Sequence, residues 1–126
     1  MRWARILVLL CGVALPYLAR LPGGSSWLKQ YTDIGIEGWF FFGAFNAIAW
    51  GAMLIVSAAY RHPVSLLAPA VPGFGFLAWA HGTLDLASDA QASIALVFIP
   101  VLALVPISVG GLLGYAIDRR LARRGE

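Results

Sequence analysis

The chain predicts an all-α integral membrane bundle of four transmembrane helices, and three observations carry that expectation. Four long apolar stretches, Trp3–Leu21, Trp39–Tyr60, Val64–Gly82 and Ala92–Ile117, fill most of its 126 residues, and each approaches the roughly 20 apolar residues that a helix needs to cross a bilayer. Only 12% of the residues are charged and 60% are hydrophobic, with a mean hydropathy of +0.80, where a soluble domain carries about a quarter charged residues. The few basic residues, finally, are spread unevenly among the connections. Four spans consume the chain, so residues 1–126 are read as a single transmembrane domain.

The first span follows a basic start, Met1–Arg5, and has the outline of a signal peptide. Its exit, Tyr17-Leu18-Ala19, lacks the small residue usually found three positions before a cleavage site, so the span is expected to be retained as a helix. Cys11, the only cysteine, excludes an internal disulfide and is expected as a small core residue.

The longest connection, Leu21–Gly38, opens on Pro22-Gly23-Gly24, which stops the first helix. Ser25 or Ser26 then suits the start of a short helix. Trp27, Leu28, Tyr31 and Ile34 recur at helical spacing opposite Lys29, Gln30 and Asp33, the pattern of an amphipathic helix lying on the outer membrane surface. Arg61-His62-Pro63 closes a tight hairpin, with Pro63 in the first turn of the third helix. In the last connection Ser88 or Asp89 is placed to cap the fourth helix, and Asp118–Glu126 continues that helix as a basic end.

Placing the N-terminus in the cytoplasm puts Arg2, Arg5, Arg61, Arg119, Arg120, Arg123 and Arg124 inside and only Arg20 and Lys29 outside. Seven against two is the bias of a multi-pass inner-membrane protein with both termini cytoplasmic. The net charge of +3 therefore reports topology, and no nucleic-acid partner is expected.

Small residues recur every four positions in the second span, at Gly43, Ala47 and Gly51, and again at Gly110 and Gly114 in the fourth. Such stripes let helix backbones approach closely in lipid, within one bundle or between chains. Asn46 is a buried amide, expected as glue between helices or as a polar point on a substrate path. Pro72, Gly73 and Gly75 crowd the third span and predict a kinked or broken helix, a feature of some transport sites. His81, Asp85 and Asp89 share one face if the third helix extends outward, a pattern with some capacity for a divalent metal or for protons.

A haem shared by His62 and His81 is excluded, because nineteen residues of helix separate them by roughly 28 Å. Nucleophilic triads, phosphate loops and zinc spacings are absent from the sequence, and no cofactor is expected. In length and span number the chain resembles the small multidrug resistance transporters, but Trp3–Leu21 holds no embedded carboxylate of the kind they depend on. The best-supported expectation is a non-catalytic accessory or organising subunit, packing as a homo-oligomer or against another membrane protein through Gly43, Ala47, Gly51, Gly110 and Gly114. A small oligomeric channel or transporter, with a path near Asn46 and the third helix, is the alternative. An enzyme is not expected.

Overall fold

The computed structural model describes residues 1–88 and 90–125. Five α-helices follow in order: α1 (Arg2–Leu18), α2 (Ser25–Thr32), α3 (Gly35–Ser57), α4 (Leu67–Thr83) and α5 (Ala95–Gly125). Short 3-10 turns lie at Leu21–Gly23, Pro63–Leu66 and Ala92–Ile94, and there is no strand among the described residues. The segments Arg2–Gly23, Gly35–Ser57, Pro63–Thr83 and Ala92–Gly125 are long and apolar enough to cross a membrane.

The long helices form a four-membered ring in which α1 packs on α3 and α4, and α5 packs on the same two from the other side. The buried positions explain this arrangement. Val8, Gly12 and Pro16 repeat every four residues along α1. Phe42, Asn46, Ala49, Met53 and Ser57 follow steps of four with a single step of three along α3, and Ile99, Ala103, Ile107, Gly110, Gly114 and Asp118 do the same along α5. This spacing keeps one stripe of each helix turned to its neighbours over many turns. At the centre, Gly73 leaves room for Met53 and Ile107, whose side chains occupy the place of a Cβ.

Several local expectations are corrected. The third long helix is unbroken, since α4 runs from Leu67 to Thr83 with Pro72 inside it. Pro72 has no N–H to offer the Ala68 carbonyl four residues back. That carbonyl instead lies against Gly110 of α5, where a Cβ would overlap it, so the proline is absorbed by a close helix contact. Cys11 is exposed, one position off the buried face formed by Val8 and Gly12. No serine caps α2, which starts behind Gly24 at φ 89° without a side-chain cap. Gly35, at φ 73°, then turns the chain so that α3 begins four residues ahead of Trp39. The hydroxyl of Ser88 donates to the Asp85 carbonyl at 2.8 Å, and Asp89 lies outside the described residues.

Helix α2 lies across the end of the bundle away from the termini. Tyr31 is buried and Trp27 and Leu28 half-buried, while Lys29 and Asp33 are exposed. Gln30, on the polar side by sequence, turns inward to a buried network.

Candidate functional site

Apart from Asn46 in the middle of α3, the buried polar side chains gather near helix ends, because the last four carbonyls and first four N–H groups of a helix have no partner within it. Arg20, two residues beyond α1, is fully buried. Its Nη1 donates to the carbonyls of His81 at 2.7 Å and Leu84 at 2.6 Å, at the C-terminal end of α4. Nε donates to the Trp27 carbonyl and Nη2 to Gln30 Oε1, both at 2.8 Å. The guanidinium lies between the rings of Trp27 and Tyr31, 4.5 and 4.0 Å from their centroids. Trp27 Nε1 satisfies the neighbouring Gly82 carbonyl at 2.9 Å. A cation at the negative end of a helix dipole gains further from its position, so Arg20 and α2 together cap α4.

Gln30 passes the network on, donating from Nε2 to Asp85 Oδ1 at 3.0 Å and accepting the Leu86 N–H at 2.9 Å. The Tyr31 hydroxyl and His81 Nδ1 share a hydrogen bond of 2.8 Å. Burial pushes the Tyr31 phenol well above its ordinary range, against the opposing pull of the Arg20 guanidinium, and keeps it neutral. The rings of Tyr17, Tyr31, Phe42 and His81 then meet edge to face around this point.

The opposite end of α4 mirrors this arrangement with the charge reversed. Asp118 of α5 is buried and its carboxylate accepts the N–H groups of Arg61 and His62, at 3.0 and 2.8 Å, and the Ser65 hydroxyl at 3.0 Å. The His62 ring adds Nδ1 at 3.2 Å. An anion thus caps the start of the turn that leads into α4, where the dipole is positive. Arg5 of α1 follows the same rule on α3, holding the Ser57 hydroxyl and carbonyl at 2.9 and 3.0 Å. Asp118→Asn keeps an Oδ1 acceptor but removes the charge and puts an amide NH2 where Oδ2 accepts the Arg61 N–H at 3.0 Å, so it should destabilise the bundle by about 1 to 2 kcal/mol. Unfolding of the detergent-solubilised protein by a chaotrope measures this, and a midpoint equal to wild type would refute the cap.

The two glycine stripes are placed differently. Gly110 packs backbone to backbone on Ala68 and Pro69, and Gly114 packs on Ser65 and the Tyr60 ring. Both therefore serve contacts inside the bundle. At Gly43 and Gly51 an added Cβ would meet nothing within 4 Å, and Gly43 is exposed. That stripe, with Ala47 half-buried between them, faces away from the neighbouring helices. Beside it runs a concave surface of about 470 Å³ between α1 and α3, lined by Tyr17, Trp39, Phe40, Gly43, Asn46 and Trp50 among others.

Asn46 Nδ2 donates to the Gly12 carbonyl of α1 at 2.8 Å, a bond between helices. Its Oδ1 and His81 Nε2 are buried without a hydrogen-bond partner among the described residues. The residues grouped by sequence as a pathway do not converge: Gly73 faces Met53 and Ile107, while Pro72 and Gly75 are exposed. His81 turns inward to Tyr31, and Asp85 is engaged by Gln30 and the Ala87 N–H. No group of three His, Cys, Asp or Glu side chains suited to a metal occurs among the described residues.

Sequence reasoning missed Arg20 and Asp118, counting one as a loop charge and the other as the start of the basic end. Comparison of the chain with protein-family models, with curated proteins and with solved structures finds no match to any of them.

Proposed function

We propose that the chain is a non-catalytic integral membrane subunit that associates, along the open stripe of α3, with a second copy of itself or with another membrane protein. The observation that carries this reading is the contrast between the two stripes. Gly110 and Gly114 are consumed by internal packing, whereas Gly43 and Gly51 stand open on a continuous apolar face. In lipid, helix association depends on close packing, which small residues permit. An outward stripe of this kind beside a concave, aromatic-lined surface fits an incoming helix.

In this reading both termini are cytoplasmic, the bilayer covers the exposed apolar residues, and α2 is an amphipathic helix at the outer surface with Lys29 and Asp33 towards water. The ends of α4 are tied by Arg20 and Asp118, which suits a rigid element that supports others. The transport alternative draws its support from the unpartnered Asn46 Oδ1 and His81 Nε2.

The test is the native mass of the protein extracted gently from its host membranes. Wild type should run as a defined assembly larger than the 13.5 kDa protomer. A Gly43→Leu, Gly51→Leu variant should lose that assembly yet keep an unfolding midpoint close to wild type, because a Cβ added at either glycine meets nothing within 4 Å. A monomeric wild type, or an assembly indifferent to both substitutions, would overturn the proposal.

A further inference from the structure

At the end of the bundle that carries the termini, Arg61, Arg119 and Arg123 converge with Tyr115 and Ala122 around a surface cavity of about 490 Å³. Two separate elements build it. Arg61 comes from the α3–α4 connection, where its backbone N–H is pinned by Asp118 at 3.0 Å. Arg119 and Arg123 stand one turn apart on α5. The Arg119 guanidinium donates to the Tyr115 hydroxyl from Nε at 2.9 Å and Nη2 at 2.7 Å, and lies 4.9 Å from the ring centroid. The side chains of Arg61 and Arg123 have no hydrogen-bond or ion-pair partner among the described residues. The nearby Asp118 carboxylate is already committed to the α4 turn. Three guanidiniums thus share one cavity with no free carboxylate between them among the described residues, and each offers the planar donor fork that suits phosphate oxygens.

We propose that this cavity binds the headgroup of an anionic phospholipid carrying two phosphates, of the cardiolipin type. Basic pockets at the cytoplasmic ends of membrane helices suit such headgroups, and a doubly charged headgroup matches converging cations better than a singly charged one. Arg120 and Arg124 lie on the same helix and carry the same charge outside the cavity, which gives an internal control. The inference rests on the membrane reading. Extraction of membranes with alkaline carbonate tests that reading alone, and release of the chain would sink it independently of the headgroup site.

Lipid binding to the purified full chain in detergent is followed by native mass spectrometry with cardiolipin, with phosphatidylglycerol, and with inorganic pyrophosphate as a free competitor. Cardiolipin should bind in preference to phosphatidylglycerol and resist pyrophosphate. Arg61→Gln with Arg123→Gln should weaken it roughly thirtyfold, from about 1 kcal/mol for each arginine near an anionic surface. Arg120→Gln with Arg124→Gln should change it less than about threefold. Equal losses in the two double variants, equal binding of the two lipids, or full displacement by pyrophosphate would each overturn the proposal. Helical content by circular dichroism confirms that both double variants are folded.

Discussion

Arg20→Ala should destabilise the bundle by about 3 to 5 kcal/mol, the largest expected effect of any single truncation in this chain. The side chain is fully buried, and removing it strands the carbonyls of His81 and Leu84 at the end of α4, while the Trp27 carbonyl loses its second donor and Gln30 Oε1 keeps only the Leu86 N–H. Each buried acceptor left without a donor costs about 1 to 3 kcal/mol, with partial relief where water reaches the site. The loss also releases the stacking of the guanidinium between Trp27 and Tyr31. Arg20→Lys should recover part of the stability and no more, since an ammonium keeps the charge at the end of α4 but lacks the planar fork. Chaotrope unfolding in a mild detergent measures both variants. Full recovery by lysine would show that charge alone matters there, and a neutral Arg20→Ala would remove the clamp from the account.

Gly110→Val should cost about 3 kcal/mol or more, because overpacking a contact that cannot relax is expensive. The side chain would enter the space of the Ala68 carbonyl and the Pro69 Cα. Both are backbone, so no flexible neighbour can yield. The same contact shelters the carbonyl that Pro72 leaves unbonded, which links the two substitution-sensitive positions. Gly43→Val is the matched control, at a glycine whose Cβ meets nothing, and should leave the unfolding midpoint near wild type. Similar losses at Gly43 and Gly110 would contradict the division of the stripes into inner and outer sets.

The four long helices were legible in the sequence because length and apolarity suffice to recognise them. Which side of each helix faces inward was not. In a span that is apolar all round, hydrophobic periodicity fades, and the inner face is marked instead by small and polar residues. Asn46, Ser57, Ser65, Gly73 and Gly110 all lie buried, and reading them as a set would have drawn the core. The proline-rich third span misled for a related reason. Pro72 was weighed as a breaker within its own helix, whereas the freed carbonyl is accommodated by a glycine on α5. Arg20 and Asp118 were assigned by position in the chain, and their burial depends on α2 and on the α3–α4 turn folding back over them. An isolated acid before four arginines, and an arginine followed within eleven residues by Trp27 and Tyr31, were the signals present.

The most direct test of the proposed role is photo-crosslinking in host membranes from single cysteines carrying a benzophenone, in a Cys11→Ser background because Cys11 is exposed. Probes replacing Gly43, Ala47 or Gly51 should yield a discrete adduct, with a second copy or with one partner protein. Probes replacing Phe41, or Val105 or Leu112 on α5, exposed away from that stripe, should yield lipid adducts only. Absence of a protein adduct from the open stripe, or equal adducts from both sets of positions, would contradict association along α3.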